Sequence, residues 1–216
     1  MDAGAERAVV AALTTHAGEA GVCERGCWAL SNFATSVAGT AACVGAGAPQ
    51  AIVAALTTHA DVADVCKMGC AALRNIPASS DAGRAACVEV GAPRALVAAL
   101  STHSGVVGVC KNCCLALGNI AVTDAGQASC VVAGALPALL AALTTHACSP
   151  DVCVSASEAL LFISDSESHL GVVEASGAVP RLVEGLVNST ETTARGKAKI
   201  RATLERLGYT DAGVKK

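Results

Sequence analysis

One segment of thirteen residues returns along the chain at a nearly constant interval, and this periodicity restricts the fold more than any other feature. VCERGCWALSNFA (22–34) recurs as VCKMGCAALRNIP (65–77), VCKNCCLALGNIA (109–121) and, more divergently, VCVSASEALLFIS (152–164). The leucine before a Thr-Thr-His signature or its variants recurs every 43 or 44 residues, as Leu13, Leu56, Leu100, Leu143 and Leu186. Such spacing is typical of stacked helical units that share one continuous core.

Each unit divides into three predicted helices. The first is short and is opened by Ser or Thr, as in SDAGRAACVEV (80–90), which is N-cap chemistry. A glycine such as Gly91 ends it in the left-handed conformation. The second helix carries Pro near its start, as in GAPRALVAALSTHS (91–104), and the third is the repeated segment. We expect one domain over residues 1–216, divided into units of about 1–46, 47–90, 91–133, 134–176 and 177–216.

The core of such a chain must be built from small residues, because the sequence is 53% hydrophobic and only 2% aromatic. Most of the twelve cysteines occupy equivalent positions in successive units, so we interpret them as buried core residues. Equivalent cysteines of neighbouring helices, about 10 Å apart, are too distant for a disulfide. Pairs four residues apart supply only two of the four ligands that zinc requires. We therefore expect no metal, no cofactor and a reducing compartment, the cytoplasm or the nucleus.

Several classes of function find no support in the sequence. A net charge of −3 and a pI of about 5.9 argue against a nucleic-acid partner, which favours a basic stripe. Asp2 and Glu6 replace the basic start of a secretory signal. Gly134 and Pro137 interrupt the most apolar stretch, so we expect no membrane partner. Catalytic motifs such as Gly-x-Ser-x-Gly and His-Glu-x-x-His are absent, which predicts that the protein is not an enzyme and has no catalytic residues.

A family resemblance rests on two of these segments. The helix Gly-Ala-x-Pro-x-Leu-Val-x-x-Leu followed by a helix ending Trp-Ala-Leu-Ser-Asn, in a unit of about 43 residues, resembles the armadillo repeat. Cys27–Ala34 and Gly134–Pro137 carry the likeness most clearly, and it extends over nearly all of the chain. The resemblance implies an all-α, right-handed α-solenoid of about five three-helix repeats, with the third helices lining a concave groove that holds extended peptides.

The resemblance also implies which groove residues contact a ligand. Asparagines at one position of the third helix bind the backbone of the peptide, and tryptophans pack on its side chains. By position, the asparagine ladder is Asn32, Asn75 and Asn119, with Phe162 in the fourth place. The tryptophan ladder has a single aromatic member, since Trp28 is followed by Ala71, Leu115 and Glu158. The alternatives for the asparagines are that they bridge neighbouring repeats or that they survive from an ancestral groove.

The charges of the third helices suggest the chemistry of the peptide. Lys67, Arg74 and Lys111 fall in the middle of the implied groove, with Glu24 and Glu158 at its edges. A cationic centre attracts acidic partners, so we hypothesise an acidic or phosphorylated extended segment. The alternative is that these cations are solvated surface residues of the helix.

A row of histidines, His16, His59, His103 and His146, falls where the second helices end. We expect these side chains to cap free carbonyl groups.

The sequence thus predicts a non-catalytic module that binds an extended peptide of a protein partner. Two alternatives stay open: a structural spacer or part of a larger armadillo scaffold with an empty groove, and a regulatory module of a larger kinase or transport protein. The apolar N-terminal end near Val9 and Val10 offers a further possibility, self-association of the chain.

Overall fold

A computed structural model of the chain describes residues 4–163, together with residues 201, 204, 205, 209 and 210. The predicted unit 177–216 therefore lies almost wholly outside the described residues, and the five-unit division stays a prediction there. The described part is an all-α, right-handed solenoid, as the sequence predicted. Its eleven helices are α1 (Gly4–Thr15), α2 (Ala20–Phe33), α3 (Val37–Gly45), α4 (Ala48–Thr58), α5 (Ala63–Asn75), α6 (Asp81–Glu89), α7 (Ala92–Thr102), α8 (Val107–Ile120), α9 (Asp124–Val132), α10 (Ala135–Thr145) and α11 (Pro150–Ile163).

The short helices called first helices above, α3, α6 and α9, lie at the ends of the units bounded at 1–46, 47–90 and 91–133, and each begins at a side-chain cap. Ser36, Ser80 and Thr123 each accept a hydrogen bond from the backbone N–H three residues later, at 3.1, 3.1 and 3.2 Å. These bonds satisfy N–H groups that the first turn of a helix leaves without a partner. The predicted N-caps are confirmed.

Glycine turns the chain from each first helix into the second helix. Gly47, Gly91 and Gly134 have φ of 78°, 70° and 78°, in the left-handed region that glycine adopts at little cost. The helices on either side meet at 72–73°. Pro49 and Pro93 then occupy the first turns of α4 and α7, where a missing N–H breaks no helical hydrogen bond.

Equivalent helices stack on one another from unit to unit. The third helices α2, α5, α8 and α11 pack side by side in chain order, as do the second helices α1, α4, α7 and α10. The first helices α3, α6 and α9 form a further row. Leu30, Leu73, Leu117 and Leu160, at one position of the third helix, are fully buried between these rows. One core therefore runs through all the described units.

Cysteines fill much of this core, as predicted. All of them except Cys148 are buried, and none is in a disulfide. Burial raises the pKa of the Cys27 and Cys87 thiols to about 12, so both stay protonated at neutral pH. The thiols act as small apolar residues with a weak S–H donor.

No single helix of the described residues has both the length and the apolarity to cross a membrane. Three pairs of a first and a second helix reach that length and composition jointly, and each pair is bent by 72° or 73°.

The first helices approach the preceding third helices so closely that one position in each accepts only glycine. A Cβ on Gly83 would collide with the carbonyl oxygen of Ile76, and Gly39 and Gly126 face Phe33 and Ile120 in the same way. A Cβ on Gly45, at the end of α3, would meet no atom within 4 Å.

We expect Gly83→Ala to lower the free energy of unfolding by about 1–3 kcal/mol, because the carbonyl of Ile76 belongs to backbone that cannot move freely. Urea denaturation followed by circular dichroism measures the change. Gly45→Ala is the matched control and should be neutral or slightly stabilising, since alanine is the better helix former. Equal losses in both variants would contradict the proposed close approach.

Candidate functional site: the face of the third helices

The exposed sides of the third helices form one surface, here called the third-helix face. It contains every predicted site residue, and none of them is buried: Glu24, Trp28, Asn32, Lys67, Arg74, Asn75, Lys111, Asn119 and Glu158. Trp28 is the most prominent apolar group on it, with 51% of the residue exposed. The predicted residues therefore lie on one surface of the stacked third helices.

Helical phase explains this placement. In α5 the buried side carries Cys66, Cys70 and Leu73, each fully buried. Lys67 follows Cys66 and Arg74 follows Leu73, so each lies about 100° around the helix from a buried residue, on the outer side. The division of this helix into a buried side and an exposed side agrees with the prediction from sequence.

The asparagine ladder connects consecutive units. Asn75 Nδ2 donates to the carbonyl oxygen of Ser31 at 2.8 Å and contacts the Ser31 hydroxyl at 3.1 Å. Asn119 Nδ2 donates to the carbonyl oxygen of Arg74 at 2.9 Å. Each bond joins a third helix to the preceding third helix. The alternative that these two asparagines bridge neighbouring repeats is confirmed, and ligand contact stays a prediction.

The three asparagines differ in what they still offer to a ligand. Asn32 is exposed, and its amide has no partner in the described part of the chain. Asn119 Nδ2 donates one hydrogen bond in the bridge to Arg74, and within residues 4–163 its Oδ1 accepts no hydrogen bond. Asn75 is the most occupied, since its Oδ1 also accepts from Arg74 Nε at 3.1 Å. The capacity to bind a peptide backbone is therefore greatest at Asn32 and least at Asn75.

Arg74 is held in place by asparagines on two helices. Besides the bond to Asn75, its Nη1 donates to Asn112 Oδ1 at 3.0 Å. Asn112 Nδ2 in turn donates to the carbonyl oxygen of Lys67 at 3.2 Å, and Asn112 is only 9% exposed. The Arg74 guanidinium is thus ordered before any ligand arrives, and within the described residues no acceptor occupies its Nη2 group.

The sequence interpretation missed Asn112. The sequence spacing could have revealed it, because Asn112 precedes Asn119 by seven residues and so lies on nearly the same side of α8.

The predicted cationic centre is smaller than expected. Lys111 Nζ lies 2.7 Å from Asp151 Oδ2 on the next third helix, so this cation is already paired. Lys67 occupies the equivalent place one unit earlier, but there Gly108 stands where Asp151 would be. A Cβ on Gly108 would lie 3.3 Å from Lys67 Cε, which shows that the two positions are adjacent. Lys67 and Arg74 remain as the cations of this face that no carboxylate contacts in the described part of the chain.

The histidine row caps carbonyl groups of the preceding unit. His59, His103 and His146 do stand at the C-terminal ends of α4, α7 and α10. Their rings, however, reach the preceding unit, where Nε2 donates to the carbonyl oxygens of Ala17, Ala60 and Ser104 at 2.8, 2.8 and 2.6 Å. The expectation that the histidines cap free carbonyl groups is therefore confirmed for these three, and in each case the carbonyl belongs to the loop of the preceding unit.

Metal binding finds no geometric basis in the described residues, among which no three His, Cys, Asp or Glu side chains cluster. One pair of cysteines does meet between units: Cys113 Sγ lies 3.3 Å from Cys70 Sγ. Cys113 is not the equivalent of Cys70 but precedes that equivalent, Cys114, by one residue. Complete burial raises the pKa of the Cys113 thiol well above its ordinary value, so Cys113 stays protonated at neutral pH.

Comparisons with known proteins place this surface in context. The model of the armadillo/beta-catenin-like repeat matches residues 80–122. An engineered protein of known crystal structure is 26% identical, with a TM-score of 0.81, over 92% of this chain and 80% of its own. A designed armadillo repeat protein in complex with the peptide (KR)4 is also 26% identical, with a TM-score of 0.79, over 94% and 82% of the two chains. No curated protein sequence matches this chain.

The bridging role of the asparagines predicts unequal effects of their removal. Asn119→Ala should lower the free energy of unfolding by about 1 kcal/mol, because the Arg74 carbonyl loses its donor. Asn32→Ala, at the equivalent but unbridged position, should change it by a few tenths of a kcal/mol at most, as is usual at exposed sites. Urea denaturation of the two variants beside the parent chain makes the comparison. If Asn119→Ala proves no more costly than Asn32→Ala, the bridge contributes nothing to stability.

Proposed function

Because the chain belongs to the armadillo-repeat family, we propose that it is a non-catalytic protein-interaction module that binds an extended peptide along its third-helix face. The observation that carries the proposal is the continuity of this face across α2, α5, α8 and α11, with an exposed Trp28. Within residues 4–163 the Asn32 amide has no hydrogen-bond partner and the Asn119 Oδ1 accepts no hydrogen bond. The structure of a similar designed armadillo repeat protein is of its complex with a peptide, which supports the same type of ligand here.

The contacts divide the face into two functional zones. At Asn32 and Asn119 an amide can donate to and accept from the backbone of an extended chain, at about 0.5–1.5 kcal/mol for each bond. At the second unit Asn75 is occupied by Ser31 and Arg74, so the group presented there is the Arg74 guanidinium. A peptide is therefore held by its backbone on both sides of a cationic centre.

We further propose that the peptide is acidic or phosphorylated where it crosses this centre. Arg74 is ordered by Asn75 and Asn112, which reduces the entropy lost when it binds an anion. Lys67 on the same helix adds a second charge without a carboxylate partner in the described residues. The peptide of the designed relative consists of Lys and Arg, the opposite charge. The charge of Lys67 and Arg74 thus favours a different ligand on a related scaffold.

The partner in this proposal is a protein segment, not nucleic acid or a membrane. We place the protein in the cytoplasm or the nucleus, since buried cysteines of raised pKa such as Cys27 and Cys87 suit a compartment that keeps thiols reduced.

Labelled octapeptides test the function directly. We expect an octapeptide of alternating Glu and Asp to bind more tightly than one of alternating Lys and Arg, and its affinity to fall as salt is raised. Fluorescence anisotropy gives both affinities. Arg74→Ala should weaken the acidic peptide about tenfold, while Arg94→Ala, an exposed arginine of the second helix α7, should have no effect. Binding of neither peptide at millimolar concentration would favour the structural spacer instead.

An exchange of residues between units tests the charge of the face without removing a cation. Gly108→Asp should place a carboxylate beside Lys67, as Asp151 lies beside Lys111, and weaken the acidic peptide several-fold. Asp151→Gly should release Lys111 and strengthen binding by a similar factor. Anisotropy titrations of both variants check these opposite shifts. Changes in the same direction for both would show that helix stability, not charge, governs the affinity.

A further inference from the structure

Each unit has a leading side, which faces the preceding unit, and a trailing side, which faces the following one. Two kinds of donor on the leading side tie the described units together. The histidine ring donates to a loop carbonyl of the preceding unit in His59, His103 and His146. The asparagine amide donates to a third-helix carbonyl of the preceding unit in Asn75 and Asn119.

The first unit carries the same donors without the acceptors. His16 and Asn32 occupy the equivalent positions, and both are exposed. Neither side chain has a hydrogen-bond partner in the described part of the chain, whereas His59, His103 and His146 are 8–9% exposed. The difference lies in the neighbour, because the residue types and their positions in the unit are the same.

The apolar surface beside these donors shows the same difference. A groove of about 410 Å³ lies between α1 and α2, lined by Val9, Ala12, Gly21, Val22, Gly26 and Ala29, with Arg25 at its margin. Val9, Ala12, Val22 and Ala29 are partly exposed. Their equivalents in the second unit, Ile52, Ala55, Val65 and Ala72, are at most 4% exposed. Those of the third and fourth units are buried too: Leu96, Ala99, Val109 and Ala116, and Leu139, Ala142, Val152 and Ala159.

From this internal comparison we infer that the leading side of the first unit is a docking surface for the trailing side of a further armadillo-type repeat. That trailing side offers what the surface lacks: a loop carbonyl like that of Ala17 for His16, a third-helix carbonyl like that of Ser31 for Asn32, and apolar side chains for the groove. The partner is a helical repeat that ends in these acceptors.

The chemistry disfavours a second copy packed with its own leading side against this one. In that arrangement the histidine donors of both copies face one another and the loop carbonyls stay on the far sides. Buried donors without acceptors cost about 1–3 kcal/mol each. The trailing side of a repeat satisfies both donors and covers the same apolar groove, as it does for His59 with Asn75 and for His103 with Asn119 in the described chain.

A repeat supplied in the same polypeptide tests the inference. Residues 47–90 are joined directly before Gly4, which places Val90 ahead of a glycine as in the natural Val90–Gly91 junction. Hydrogen exchange, measured by mass spectrometry on α1 and α2, reports whether the added unit covers this side. We expect exchange in both helices to slow at least tenfold relative to the parent chain.

The histidine bond supplies a matched control. In the extended chain His16→Ala should speed exchange in α1 and α2 about three- to tenfold, as expected for the loss of one hydrogen bond. In the parent chain the same substitution should change exchange less than twofold, and Thr15→Ala, an exposed neighbour, should have no effect in either chain.

Three results would overturn the inference. One is unchanged exchange in α1 and α2 beside an added unit that is helical. Another is an added unit that stays unfolded, both with residues 47–90 and with residues 91–133 as the donor. The last is a parent chain that elutes as a dimer with α1 and α2 already protected, since this would assign the surface to a second copy.

Discussion

The hydrogen bonds that cross from one unit to the previous one fix the register on which everything else in this molecule depends. A single unit of three short helices cannot enclose its own apolar residues. Leu73 and Leu117 are fully buried in the stack. Apolar contact alone allows helices to slide or rotate. His103 and Asn119, each donating to a fixed carbonyl of the preceding unit, allow one arrangement. The first helices add a tie in the opposite direction, since Arg84 Nε donates to the carbonyl of Asn119 at 3.2 Å and Gln127 Nε2 to that of Phe162 at 2.9 Å.

This register has a consequence for binding, because the asparagines that hold the stack lie on the same face as the groups that would hold a peptide. An asparagine that donates to the neighbouring helix has fewer hydrogen-bonding groups left for a ligand. Recognition therefore falls to positions where units differ from one another. Trp28, Arg74 and the Gly108 and Asp151 pair are such positions, and each changes the surface of one unit without disturbing the shared core.

The sequence predicted whatever depends on position within a unit. The three helices, the caps at Ser36 and Ser80, the left-handed Gly47 and Gly91 and the exposed side of α5 all follow from local periodicity and turn chemistry. Contacts between units were predicted poorly. They depend on the lateral offset between stacked helices, which joins Lys111 to Asp151 over 40 residues, Arg74 to Asn112 over 38 and Lys67 to Asn112 over 45. A repeat length of 43 or 44 does not reveal these offsets.

The cysteines illustrate the same distinction. Equivalent cysteines of adjacent units were correctly regarded as separate, but the offset brings the non-equivalent Cys113 against Cys70. Their burial was predictable, and their polar role was not. The sulfurs of Cys66 and Cys110 lie 3.7 and 3.5 Å from the carbonyl oxygens of His59 and His103 in their own units.

The position of these cysteines, beneath loops whose carbonyls need donors, gives a reason for cysteine over alanine or valine. The loop after each second helix turns sharply and leaves carbonyl groups without helical partners. The histidine of the following unit reaches one of them, Ala60 in the case of His103, from outside. The Cys66 thiol approaches the same carbonyl from the core at 3.7 Å. Burial raises the pKa of this thiol to about 11, which keeps its proton available for donation at neutral pH. A valine would fill the space but leave the carbonyls of the loop one donor short, and the loop is the acceptor that sets the next unit in place.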